Sequence, residues 1–163
     1  MKRTQTHPLI TGTIILTMTG LISRLMGFFY RIYLSRIFGE EGMGIYQLTG
    51  PVLSISYSLT SAAFQTAISK LVAENTAKRQ ENRSKPLIAA LFVSLPLSIL
   101  CNYIVYFYSD FIAYSLLAEP RTASMLRILS FAIPITCIHS CINGYFYGIQ
   151  KTTAPAASQL LEQ

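Results

Sequence analysis

The sequence predicts an all-α polytopic membrane protein with four transmembrane helices, and three observations carry that reading. Of 163 residues, 52% are hydrophobic and 12% charged, with a mean hydropathy of +0.43, whereas a soluble domain carries about twice that charged fraction. The apolar residues gather into four runs, 9–34, 44–69, 86–109 and 128–149, of which the last three contain no Asp, Glu, Lys or Arg. Each run exceeds the roughly 20 residues that cross a hydrocarbon core. Apart from Arg24 and Arg31 in the first run, the charges lie between the runs. Lys70, Lys78, Arg79, Arg83 and Lys85 separate the second and third, Lys2 and Arg3 precede the first, and Lys151 follows the fourth. The other connections hold Arg36 and Arg121 beside Glu40, Glu41, Asp110 and Glu119. Lys and Arg accumulate in cytoplasmic loops, so both termini are expected in the cytoplasm. The net charge of +6 is then a topology signal, and no nucleic-acid partner is expected. A cleaved signal peptide is disfavoured for the first run, because signal apolar regions span only about 7–15 residues.

The expected spans are about 9–38, 43–70, 86–109 and 122–149, with the start of a fifth helix after 154. The first ends at Gly39, a natural stop. Thr13, Thr17, Gly20, Arg24, Gly27, Arg31 and Ser35 follow one another in steps of four and three, which keeps them on one helix face. Ile15, Met18, Ile22, Phe29 and Tyr33 occupy the other. A polar stripe in a membrane helix faces the bundle or a water-filled cavity. The second helix carries Gly50-Pro51, expected to kink it, and a ladder of Ser54, Ser58, Ser61, Gln65 and Ser69 that suits either close packing or cavity lining.

The third helix starts at Pro86, a favoured first-turn position, contains Pro96, and ends in the interfacial aromatics Tyr103, Tyr106, Phe107 and Tyr108. The fourth carries Pro134 and a polar face of Thr136, His139, Ser140, Asn143 and Tyr147. His139 reads as a neutral histidine hydrogen-bonded within the bundle or as a proton relay. Cys101, Cys137 and Cys141 all fall in spans and read as buried small residues, since a closed zinc site takes four ligands. In the closing "APAASQLLEQ", Ser158 is a candidate helix cap. The chain stops as this apolar pattern starts, which reads as a truncated chain.

No arrangement of an enzyme is present in the sequence: no paired carboxylates within the spans, no phosphate-binding loop, no plausibly placed Ser-His-Asp set. No catalysis, cofactor or metal is expected. The arginines are the conspicuous feature. An arginine at mid-membrane costs about 2.5–3.5 kcal/mol on insertion scales, and the spans offer no carboxylate to Arg24 or Arg31. Each is either a structural pin bonded to backbone carbonyls or the receptor of an anionic substrate, whose phosphate suits a planar guanidinium fork.

The segments "GTIILTMTGLISRLMGFFYRIYLSRIFGEEGMGIYQL", "AISKLVAE" and "GYFYGIQKTTAPAASQLLEQ", in this order and spacing, resemble the amino-terminal part of the stage V sporulation protein B group of polysaccharide-biosynthesis membrane proteins. That group is part of the multidrug/oligosaccharidyl-lipid/polysaccharide exporter superfamily, which also holds the lipid II flippases. The resemblance implies a MATE-like two-lobed bundle of about fourteen helices around a central cavity, of which residues 1–163 supply the first part. It implies that Arg24, within "SRLMG", matches a cavity-facing arginine of the lipid II flippases; Arg31 matches with a spacing that differs by one residue. The proline common in the family before "ISKLVAE" is absent from "AAFQTAISK".

The expected function is that of a fragment of a flippase that moves a lipid-linked oligosaccharide or peptidoglycan precursor across the cytoplasmic membrane by alternating access. The candidate substrate-binding residues are Arg24, Arg31, Ser58, Gln65 and Asn143. The expected partners are the lipid-linked saccharide or another anionic lipid, the membrane, and the carboxy-terminal helices that complete the transporter. The alternatives are a multidrug-exporter-like transporter, which cationic spans suit poorly, and a non-transporting four-helix membrane scaffold.

Overall fold

The computed structural model describes residues 6–77 and 85–162, with side chains from residue 12 onward, and its regular elements are all helical. Lys2, Arg3, Lys78, Arg79 and Arg83, on which the orientation reading leans, lie outside the described residues. The first helical run, α1, spans Thr6–Tyr57 and is interrupted at Gly39, where φ is 72° and ψ 177°. That combination is open essentially to glycine alone. The expected break is therefore there, but helical geometry resumes at once.

A π-helical stretch, Ser58–Ala62, joins α1 to α2, Ala63–Ala77. The backbone keeps helical dihedrals through Gly50-Pro51, and a π turn follows seven residues later. Next come α3, Lys85–Phe107, and the short α4, Ser109–Phe111, which runs into a second π turn, Ile112–Leu116. The remaining helices are α5, Thr122–Ser130, α6, Ala132–Gly148, and α7, Thr153–Glu162. The single fourth helix expected from sequence is thus divided: α5 and α6 meet at 42°. Pro134 has no N–H to give the Ser130 carbonyl, which frees the chain to turn there.

By length and composition, two helices are able to cross a membrane, Gly12–Ala77 and Lys85–Phe107, and a third if α5 and α6 count as one bent span. The four crossings expected from sequence are thus met, among the described residues, by two or three helical stretches long and apolar enough to span. The first two apolar runs are two helices that meet at the kink at Gly39 with no loop between them, the second running on through the π turn into α2.

The packing is that of a protein in lipid. Large apolar side chains point outward, with Phe92 79%, Ile128 72% and Ile55 70% exposed. The interior is rich in hydroxyls: Thr49, Ser56, Thr60, Ser61, Ser94 and Ser98 are all buried. Several bond back to their own helix, as Thr60 Oγ1 does to the Ser56 carbonyl at 2.7 Å and Ser98 Oγ to the Leu95 carbonyl at 2.8 Å. Small residues let helices close on one another where lipid offers no hydrophobic drive. Against α2, α6 closes most tightly, through Gly144 and Gly148, where added β-carbons would lie 2.6 Å from the Gln65 carbonyl oxygen and from Val72 Cβ.

A compact apolar cluster of Ile68, Val72, Cys137 and Cys141 sits between α2, α3 and α6. The Cys137 thiol donates to the Thr60 carbonyl in the π turn at 3.3 Å, and Cys141 Sγ lies 3.4 Å from Ser94 Oγ. At one end of the bundle Arg121 pairs with Glu41 and Arg127 with Asp110. At the other, Gly12 lies against Thr152, and Gly148 against Ser69 and Val72.

Candidate functional site

The stripe on α1 lines a cavity. Thr17, Gly20, Arg24, Gly27 and Arg31 share its wall with Ser23 of the same helix, and Gln159 of α7 faces them across a volume of about 790 Å³. The regular α-helical backbone across this segment is what holds residues three and four apart on one side. Arg24 and Arg31, seven residues apart, stand two turns or about 10 Å from each other along the axis. Among the described residues neither guanidinium has an ion pair or hydrogen bond. Ser23, 5% exposed, is also among the lining residues, and its Oγ is buried with no hydrogen-bond partner among the described residues. The cavity thus offers two guanidinium forks, donors fit for an oxyanion, with a buried hydroxyl in its wall.

A second cavity of about 380 Å³ lies on the other side of Gln159, which lines both. Thr136, His139, Ser140, Asn143 and Tyr147 of α6 all line it, together with Gln65 of α2. Tyr57 donates its hydroxyl to Gln65 Oε1 at 3.3 Å. His139 Nε2 lies 3.0 Å from Asn143 Nδ2 and 2.9 Å from Ser158 Oγ. Gln65 and Asn143 reach one cavity because Gly144, next to Asn143, permits α6 to touch the Gln65 backbone.

Of the five expected site residues, then, Arg24 and Arg31 share one cavity, Gln65 and Asn143 share its neighbour, and Ser58 joins neither. Ser58 is exposed with Ser54, Ile55 and Leu59 in a separate depression. The π turn that begins at Ser58 adds a residue to the helical repeat, so the serine ladder does not continue onto the face of Gln65. Ser158 is no helix cap: it lies inside α7, directed at His139.

Sequence reasoning missed Ser23, Gln159 and Glu162. The i, i+4 spacing of Ser158 and Glu162 was the available signal for a polar face on α7. The Gly144-Tyr-Phe-Tyr-Gly148 spacing was an available signal for the α2–α6 contact.

An apolar exterior, a hydroxyl-rich interior and an open cationic cavity along the first helix define a helical integral membrane protein with a polar site. The chain belongs to the polysaccharide biosynthesis protein family, whose model matches residues 9–163. It is 35% identical to stage V sporulation protein B of Bacillus subtilis (strain 168) over 155 residues, covering 94% of this chain and 30% of that protein. To the lipid II flippase MurJ of the same organism it is 29% identical, covering 95% of this chain and 30% of the relative. The uncharacterized membrane protein YabM of that organism is likewise 29% identical, over 96% of this chain and 29% of the relative. The resemblance read from the three sequence segments is borne out. The chain spans about 30% of the length of these curated relatives. No solved structure matches it.

Proposed function

We propose that residues 1–163 form the amino-terminal part of a flippase that moves a lipid-linked oligosaccharide or peptidoglycan precursor across the cytoplasmic membrane by alternating access. The observation that carries this reading is the cavity in which Arg24, Arg31 and the partnerless Ser23 hydroxyl meet without a carboxylate among the lining residues. Two cations kept in an apolar helix call for a counter-charge, and a diphosphate linker supplies one in a geometry that guanidinium groups bind bidentately. Gln65 and Asn143 in the neighbouring cavity present amides of the kind that bond saccharide hydroxyls. Ser58 is left out of this path. The kinship with a protein named as a lipid II flippase supports the substrate class.

The proposed topology has four crossings, two of them within the stretch broken at Gly39, a third in α3, and a bent fourth in α5 and α6, with α7 beginning a fifth. The pairing of Arg121 with Glu41 and of Arg127 with Asp110 at one end supports it, as does the opposite placement of Gly12, Val72 and Gly148 with their partners. Lys70, Lys85 and Lys151 mark the cytoplasmic side.

The test is substitution in the full-length protein. Arg24→Ala is expected to abolish complementation of a strain lacking the protein, at unchanged membrane abundance. Normal complementation would remove the substrate role.

A further inference from the structure

An open cavity of about 550 Å³ runs along α2, lined by Gln65, Thr66, Ser69 and Lys70, with Tyr147 of α6 in the same lining. Gln65 with Ser69 and Thr66 with Lys70 are i, i+4 pairs, so the regular helix keeps all four on adjoining faces. Tyr147 lies between Gly144 and Gly148, and the lack of β-carbons at those two positions brings α6 onto the backbone of Gln65 and Ser69. The polar groups of this cavity are mostly donors without an acceptor. Tyr57 donates to Gln65 Oε1 at 3.3 Å, which leaves the Gln65 amide nitrogen free to donate elsewhere. Thr66 directs its hydroxyl proton to the Ala62 carbonyl at 3.1 Å. Among the described residues the Ser69 and Tyr147 hydroxyls have no hydrogen-bond partner, and Lys70 has no ion pair, although Glu74 follows it by one turn. No carboxylate lines the cavity.

This cavity is continuous in its lining with the two already described. Gln65 and Tyr147 line it and the His139 cavity alike, and Gln159 lines the His139 cavity and the arginine cavity. Gly148 against Ser69 and Gly12 against Thr152 mark one end of the bundle. From that end Asn143 is five residues along α6, about 8 Å, and Arg24 is twelve residues along α1, about 18 Å. The donors therefore lead from Lys70 at the end of the bundle to the arginines near its middle. The carboxylate on the way, Glu162, is held 3.1 Å from His139 Nε2.

We infer that Lys70, Ser69, Gln65 and Tyr147 form a capture site for the phosphate-bearing headgroup of a membrane lipid, on the side that the proposed topology makes cytoplasmic. The ligand is the diphosphate of the lipid-linked substrate, held here first and then passed to Arg24 and Arg31. The site rests on the flippase reading for the identity of that lipid and for the direction of travel. Lysine at the mouth and arginine inside suit the two stages. An ammonium group is a flexible point charge, whereas the guanidinium fork binds phosphate bidentately, so the headgroup is held more firmly as it moves inward. A lysine that ends a membrane helix also marks the topology, but that role needs neither free donors around it nor a polar path leading inward.

The test uses the full-length protein in phosphatidylcholine nanodiscs, with radiolabelled polyprenyl diphosphate as the probe. A photoreactive benzoylphenylalanine replaces Ala73, exposed in the wall of the capture site, or in a separate variant Leu21, exposed in the wall of the arginine cavity. Both positions are expected to crosslink the probe. Lys70→Gln should lower labelling from Ala73 about three- to tenfold, as loss of a charge-assisted hydrogen bond does. Lys70→Arg, which keeps the charge, should preserve labelling, and Tyr147→Phe, which keeps the ring, should lower it less than Lys70→Gln. Labelling from Ala73 should persist in Arg24→Ala. Labelling from Ala73 that is indifferent to Lys70→Gln would overturn the site. So would loss of the label to an equal amount of phosphatidylglycerol, which marks a general anionic-lipid site, or of inorganic pyrophosphate, which marks a site for free phosphate. Lys70-dependent labelling from Ala73 with none from Leu21 would support the capture site while removing the role of Arg24, so the two readings fail separately.

Discussion

Gly144 stands on the backbone of Gln65, so that a β-carbon at 144 would lie 2.6 Å from the Gln65 carbonyl oxygen and 3.1 Å from its Cα. This approach sets α6 on α2 and places Asn143 and Gln65 in the wall of one cavity. One turn further, Gly148 meets Ser69 and Val72 in the same way.

Gly144→Ala and Gly148→Ala should therefore each destabilise the chain by about 1–3 kcal/mol, the usual cost of overpacking. The helix backbone they would strike cannot rotate away as a side chain can. Gly20→Ala is the control, because nothing lies within 4 Å of a β-carbon there. Thermal unfolding in detergent should show a lowered midpoint for the first two variants and an unchanged or raised one for the third, since alanine is the better helix former.

Arg24→Lys distinguishes a fork from a charge. Lysine keeps the cation but loses the paired donors of guanidinium. The full-length Arg24→Lys variant should transport at an intermediate rate, between wild type and Arg24→Ala. Ser23→Ala, which deletes the partnerless hydroxyl beside it, should lower the rate less than Arg24→Ala does. Rates measured by accessibility of the precursor on the outer membrane face check both.

The two arginines at the far end of the bundle should differ in worth. Arg127 Nε donates to the buried Ser109 Oγ at 2.8 Å, and Arg127 also pairs with Asp110. Arg121 pairs with Glu41, and both side chains are well exposed. Arg127→Ala should cost about 1–2 kcal/mol because it leaves a buried hydroxyl without its donor. Arg121→Ala should cost less than about 1 kcal/mol, as solvent-screened pairs do. Detergent unfolding of both variants checks the order.

Gln150, just past α6, adopts φ 60°, a left-handed conformation that side chains with a β-carbon disfavour. Gln150→Gly should relieve it and stabilise the chain by up to about 1 kcal/mol, read as a raised unfolding midpoint.

The polar faces are legible in the order of residues along the chain. Thr17, Gly20, Arg24, Gly27 and Arg31 line one cavity and Thr136, His139, Ser140, Asn143 and Tyr147 the other, since both sets follow the local helical repeat. Where the repeat changes, legibility stops. The π turn at Ser58–Ala62 moves Ser58 away from Gln65, and a ladder counted at 3.6 residues per turn does not register an inserted residue. The first two apolar runs meet without a loop for a related reason: Gly39 marks a kink between two helices, and its dihedrals decide that helix resumes at once.

The sequence by itself determined the membrane class, the family and the cationic stripe, because hydropathy and helical period are properties of neighbours along the chain. Only the tertiary structure decided that Gln159 lines both cavities, that the buried Cys137 thiol donates to a carbonyl of the π turn, and that Glu162 reaches His139. Each of these joins residues on different helices. Their meeting depends on how closely and at what rotation the helices pack, which glycines such as Gly144 and Gly148 permit and the facing backbone completes.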